Sequence, residues 1–195
     1  MATKVYTFRV TYKGLEDKIW RKIAVSSNYR LDQLGYAVLA AFDTMAYHLF
    51  EFHYDGERFE IPHEDAFEEQ VDMAVFKLHQ LKIKIGDRIR MDYDFGTTQT
   101  FWIELVDVED MGRGQGTKYP YVIEGFGRGI IDDMASEELQ ELIEQIDNTG
   151  KTDEPVYYQN RSFPWDYRWF DLDNINGLFK GEIRMIEEGY DPFWY

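Results

Sequence analysis

Cysteine is absent from this 195-residue chain. Its absence removes disulfides, thiol catalysis and cysteine metal sites together, and it fits a reducing cytoplasm. Long apolar runs are missing too. The longest are short, such as residues 37–42, far below the ~20 apolar residues that a membrane span needs. The N-terminus, MATKVYTFRV, goes straight into strand alternation and carries no signal-peptide pattern. The expectation is a cytoplasmic chain without a membrane segment. Positive charge is also scarce. There are 21 Lys and Arg against 37 Asp and Glu, a formal net charge of −16. Residues 1–60 hold eight of each sign, so the whole excess lies in residues 61–195. Nucleic-acid binding draws most of its affinity from Lys and Arg neutralising phosphates, so direct contact with DNA or RNA is disfavoured.

What is present is apolar and aromatic: 44% hydrophobic and 17% aromatic residues. A chain of this length and composition buries a sizeable core, and one domain is expected. Strand alternation is strongest over residues 88–106, RIRMDYDFGTTQTFWIELV. Met91, Tyr93 and Phe95 fall on one face and Asp92 and Asp94 on the other. Phe101, Ile103 and Leu105 then alternate with Trp102 and Glu104 around a Gly turn. A second hairpin is predicted over 4–25, with Tyr6, Phe8 and Val10 in line and Arg21 and Lys22 on a solvated edge. A third is predicted over 47–61, turning at Asp55-Gly56. A further strand is predicted over 119–125. Residues 107–118, with three glycines, read as a hairpin loop.

Three helices are predicted. One spans 30–42, with Leu31, Leu34, Val38 and Phe42 as its stripe and cap oxygens in Ser26-Ser27-Asn28. Gly35 within it is read as permitting close packing. A second spans 136–147, with Leu139, Leu142, Ile143 and Ile146 buried and Ser136 as its cap. A third lies near 174–187, capped by Asp173. Residues 62–81 fit either a helix from 65 or a short strand over 74–81. The expected architecture is α+β: one domain over 1–195, mostly antiparallel sheet packed with helices, and an aromatic-rich segment 151–195 docked on it. That segment holds 12 of the 33 aromatic residues.

Candidate chemistry is sparse. His48 and His53 stand at an odd offset in one predicted strand, so a regular strand points them to opposite faces and they cannot share an ion. The Gly-rich runs at 112–116 and 125–129 lack a following Gly-Lys-Ser/Thr and a helix, so neither is a phosphate loop. No catalytic constellation, metal centre or cofactor motif is assigned. The candidate polar pocket is Asp92, Asp94, Asp132, Asp133 and His48, on the expectation that these acids meet in space.

Ile19-Trp20-Arg21-Lys22, Leu31 and Leu34, His48-Leu49-Phe50-Glu51-Phe52 and Tyr93-Asp94-Phe95-Gly96 follow one another in a characteristic order. Further on come Tyr119-Pro120, Gly125, and Phe170-Asp171-Leu172 with Asn176 and Leu178. In this order the chain resembles the plasmid pRiA4b ORF-3-like family over about residues 4–180. The resemblance implies a single α+β domain and supplies no biochemical activity. The family pattern continues Tyr-Asp-Phe-Gly with Asp, Trp and His, where this chain has Thr97, Gln99 and Phe101. Its Pro-Pro-Glu-Asp falls on Ile130-Ile131-Asp132-Asp133, and its Gly-Gly falls on Ala135-Ser136.

The function expected first is a non-enzymatic binding or interaction module with a protein partner. The alternative is an acid-lined pocket with divalent-metal or hydrolase chemistry. A further alternative is a nucleic-acid-associated or mobile-element accessory protein, and the net charge of −16 opposes the nucleic-acid association.

Overall fold

Alternation in β1 (Lys4–Tyr12) orients the sheet. Tyr6, Phe8, Val10 and Tyr12 are buried on one face, and Thr7, Arg9 and Thr11 lie on the other. The computed structural model describes residues 3–61, 71–152, 155–158 and 161–190. β2 (Trp20–Ser26) returns antiparallel, with Ile23 opposite Phe8 and Arg21 opposite Val10. On its other side β1 pairs with β7 (Gln99–Asp110), which pairs with β6 (Arg88–Tyr93). β3 (Phe50–Tyr54) and β4 (Glu57–Glu60) extend the sheet beyond β6. The short β5 (Val71–Asp72) adds in parallel to β4, and β8 (Tyr121–Phe126) closes the opposite edge against β2. The order is β5-β4-β3-β6-β7-β1-β2-β8. A separate antiparallel ribbon joins β9 (Pro155–Tyr158) to β10 (Arg161–Pro164).

The helices cover the apolar face. In α1 (Leu31–Ala41) ten positions are buried, because it contacts both the sheet and α3 (Leu172–Gly189). A Cβ on Gly35 would lie 2.1 Å from the Phe50 ring, so the helix meets β3 at a distance only glycine permits. α2 (Ser136–Thr149) buries Leu139, Leu142, Ile143 and Ile146, the stripe its sequence spells out. The fold is therefore α+β, an eight-stranded, mostly antiparallel sheet with three helices. Among the described residues no helix is long and apolar enough to cross a membrane.

Several local expectations are corrected. Arg21 is not on a solvated edge; it is fully buried on the core face of β2. Tyr47 to Leu49 lie outside β3, which begins at Phe50. β7 runs to Asp110, and its neighbours are β6 and β1. The connection to β8 is thus a crossover to the far sheet edge and not a hairpin loop. The caps move as well. Gln33 accepts from the Arg30 backbone N–H at the start of α1. Glu138 accepts from Ala135 at the start of α2, and Asp171, not Asp173, accepts from Asn174 at the start of α3. Of the helix predicted from 65, residues 65–70 lie outside the described residues, and the described part is not helical: Val71–Asp72 form β5. Over 74–81 the chain forms a single 3₁₀ turn, Leu78–Gln80, in place of a strand.

Candidate functional site

Asp92 and Asp94 part company at the end of β6. Asp92 keeps strand geometry and faces away from the helices, opposite Glu51 of β3 and Thr100 of β7. Asp94 follows the last residue of the strand with φ 57°, a left-handed turn that reverses the direction of its side chain. Alternation alone placed the two on one face. The turn puts them in different clusters.

The first cluster gathers His48, Asp94 and Asp133, whose candidate ligand atoms lie within 4.8 Å of one another. His48 Nε2 is 2.8 Å from Asp133 Oδ1, and its Nδ1 is 3.7 Å from Asp94 Oδ1. Tyr47 donates its hydroxyl to Asp133, and Tyr190 donates to the His48 carbonyl. Asp94 is only 4% exposed. Burial pushes its carboxyl up, but the Thr97 hydroxyl and the Gly96 and Thr97 N–H groups outweigh this and hold it below the usual range. Asp132 turns the other way. It accepts from Tyr93 Oη at 2.7 Å and from the Met45 N–H at 2.8 Å, and burial raises its pKa. Burial, and then the charge and hydrogen bond of Asp132, push the Tyr93 phenol far up.

The second cluster lies on the sheet face away from the helices: Glu51, His53 and Asp92. His53 Nε2 is 2.6 Å from Glu51 Oε1 and 3.7 Å from Asp92 Oδ2. Arg58 pairs with Glu51 at 2.5 Å and also with Glu60, while Arg90 pairs with Asp92 at 3.0 Å. Two guanidinium groups thus already compensate this cluster. Of the five residues predicted for one pocket, His48, Asp94 and Asp133 come together, Asp132 sits beside them, and Asp92 belongs elsewhere.

A larger feature escaped the sequence. A groove with a lobe of about 740 Å³ runs between α3 and the segments 43–47 and 128–132. A second lobe of about 610 Å³ continues beside Trp169, Phe170 and the start of α3. The lobes share Ala40, Asp43, Arg128 and Glu182 at their junction. Arg128 Nε is 3.3 Å from Asp43 Oδ2, and its guanidinium lies 5.2 Å from the Trp169 ring centroid. Asp43 is partly solvent-exposed but walled by protein; burial raises its pKa against the pull of Arg128 and Arg21. Burial raises Glu182 too, and the charge of Asp43 adds to it. Asp43 follows α1 and Glu182 lies in α3, so no local pattern joins them.

Arg128, which lines both lobes, is flanked by Gly127 and Gly129. A Cβ on Gly127 would meet the Lys18 carbonyl at 2.1 Å, and one on Gly129 the Phe42 carbonyl at 2.2 Å. Both carry positive φ. The second Gly-rich run is therefore a close crossing of backbones that aims Arg128 into the groove.

No curated protein matches the chain. Among solved structures, the fold is similar to the crystal structure of a protein of unknown function, MM3350 from Methanosarcina mazei Go1. The TM-score is 0.71 at 21% identity, over 89% of this chain and 98% of that one. The family model for the plasmid pRiA4b ORF-3-like protein matches residues 4–174. With nearly the whole described sheet and all of α1 and α2 inside that match, the chain belongs to the plasmid pRiA4b ORF-3-like family.

Proposed function

We propose that this chain is a cytoplasmic, non-enzymatic binding module and that the two-lobed groove receives its ligand. The observation that carries the reading is the groove itself. It has lobes of about 740 and 610 Å³, within the range of ligand sites, and Trp169 stands half exposed at its side. Apolar walls with a few convergent polar groups are the usual chemistry of such sites. Cytoplasmic placement is supported by the cysteine-free sequence. The test is a nuclear magnetic resonance screen of a small-molecule fragment set against the full chain. The expected result is hits that shift the Trp169 indole and the amides of Arg128 and Glu182. Hits confined to other surfaces, or none, overturn the groove as a small-molecule site, and the reading itself falls if peptide ligands miss the groove as well.

A second reading is favoured by the spacing of His48, Asp94 and Asp133, which suits three ligands of one divalent cation. The imidazole points to Mn²⁺ or Zn²⁺ ahead of Ca²⁺. A bound ion must stabilise the folded chain. Melting with excess Mn²⁺, Zn²⁺, Mg²⁺ or Ca²⁺ is expected to show a rise that Asp133→Ala removes, and unchanged melting with all four ions sinks this reading.

A further inference from the structure

We propose that the groove docks an extended basic segment of a partner protein, with a Lys or Arg side chain seated between Asp43 and Glu182. The inference rests on the groove being the ligand site and names the chemistry of the ligand.

Charge is the first support. Across both lobes the lining carries five carboxylates, Asp43, Asp132, Asp166, Asp171 and Glu182, against the single guanidinium of Arg128. Three of the five are engaged locally: Asp132 by Tyr93 and Met45, Asp166 by Arg168, and Asp171 as the cap of α3. Asp43 has Arg128. Glu182 has no hydrogen-bond or ion-pair partner among the described residues, and it faces the like charge of Asp43. A cation placed between them relieves that repulsion and replaces water at a carboxylate already partly desolvated. Arg128 shows that the junction suits such a group, since its own guanidinium sits between a carboxylate and an indole face.

The pattern along α3 is the second support. Leu178, Glu182 and Met185 follow at helical spacing on the groove side, and Leu178 and Met185 are 48% and 65% exposed. The stripe reads apolar, acid, apolar. Leu178 to Glu182 is four residues, a rise of about 6 Å, and Glu182 to Met185 is three, a rise of about 4.5 Å. Two residues of extended chain span about 6.8 Å. A strand-like segment with the pattern aliphatic-x-Lys-x-aliphatic therefore matches the first step closely and overruns the second by about 2 Å, a gap that flexible side chains span, so its two aliphatic groups reach Leu178 and Met185. Exposed apolar side chains flanking a lone carboxylate are what such a segment recognises.

The test uses the full chain and three labelled heptapeptides of acetylated Ser-Leu-Ser-X-Ser-Leu-Ser-amide, with X as Lys, Ser or Glu. Fluorescence polarisation gives affinity, and amide shifts of Glu182, Met185 and Arg128 give location. The Lys peptide is expected to bind in the groove about tenfold more tightly than the Glu peptide. Glu182→Gln is expected to weaken the Lys peptide about fivefold, while the charge-matched control Glu109→Gln, at the exposed end of β7, changes it less than about twofold. Equal weakening by the two variants means attraction to overall acidity, and the inference is overturned. Groove shifts of equal size with the Ser and Glu peptides overturn the basic segment but leave the groove as a site. Fragments that map to the groove while no peptide does so likewise overturn the basic segment and leave the groove standing. If neither fragments nor peptides reach it, the groove reading itself falls.

Discussion

The ring of Phe170 lies 4.8 Å from the guanidinium of Arg21, on a charged side chain that is fully buried against the core face of the sheet. Phe42 lies within 5.0 Å of the same group. Among the described residues no carboxylate is hydrogen-bonded to it. Its N–H groups donate instead to the carbonyls of Ala41, Trp20, Phe126 and Arg128, at 2.8 to 2.9 Å. One side chain thereby ties β2, the end of α1 and the chain after β8 together, and a residue of the C-terminal segment covers it.

The first prediction concerns that knot. Burial pulls Arg21 down to about 9, so it stays charged at neutral pH. Removing it relieves a desolvation cost but takes a donor from four carbonyls. The second effect is larger, since each unpaired buried polar group costs about 1–3 kcal/mol. Arg21→Met is expected to destabilise by about 2 kcal/mol. Arg21→Ala adds a cavity and costs about 1–2 kcal/mol more. Arg21→Lys is also destabilising, because three donors on one nitrogen cannot span four carbonyls. Urea denaturation with unchanged slope checks all three; a stable Met variant shows that water reaches the carbonyls.

The second prediction concerns Gly35. On propensity alone, Gly35→Ala in α1 stabilises by about 1 kcal/mol. The added methyl, however, would sit 2.1 Å from one Phe50 ring carbon and 2.4 Å from the next. Overpacking of this kind costs about 1–3 kcal/mol. The clash exceeds the propensity gain, so a lower melting temperature is expected. Phe50→Leu is expected to be less harmful in the Gly35→Ala background than in the parent, and a double-mutant cycle measures that coupling.

The third prediction is a pH dependence. Glu182 binds its proton more tightly in the folded chain than in the unfolded one, through burial and then Asp43. Its favourable contribution is present below the unfolded pKa of about 4.3 and is lost as pH rises through the raised folded value. At pH 7 Glu182→Gln is therefore expected to raise the melting temperature, and the gain fades as pH falls towards about 4. Asp94 behaves oppositely. Its folded pKa is depressed, so its contribution is present above the unfolded value of about 3.9 and lost as pH falls through the folded one. Asp94→Ala should cost stability at pH 7 and less in acid. Parallel melting curves at both pH values separate the two.

These residues also show what the sequence could and could not carry. Period-two alternation finds β1, β6 and β7 because one face of each is buried. Alternation even puts Arg21 in line with Ile19, Ile23 and Val25, so its burial was legible, but the charge argued for solvent and the four carbonyls that overrule it come from distant segments. At Asp94 one left-handed residue breaks the pattern, and nothing in Tyr-Asp-Phe-Gly marks which residue takes that conformation. The pairing of β8 with β2 and the meeting of Asp43 with Glu182 are tertiary facts with no local period. The family pattern reaches His48 and Asp94, and its later residues Phe170, Asp171 and Leu178 line the groove, but nothing in it joins them to Asp43 and Glu182.

The last prediction separates Asp132 from Asp133. They are neighbours in sequence with different burdens. Asp132 is half-buried and accepts from the buried Tyr93 hydroxyl and from the Met45 N–H. Asp132→Ala leaves both donors without that acceptor and is expected to cost about 1–3 kcal/mol. Tyr93→Phe removes only one of the two bonds, so its cost should be about half as large. The Asp133 side chain is 61% exposed and pairs with His48 and Tyr47 near solvent. Exposed pairs are worth about 0–1 kcal/mol, so Asp133→Ala should leave the melting curve nearly unchanged. Urea unfolding of the three variants checks the ranking. Because Asp133 contributes so little to folding, any metal-dependent change in its variant reports on ligand binding and not on a damaged fold. A large loss in Asp133→Ala without metal instead makes the His48 cluster a structural tie between the segment before β3 and the turn before α2.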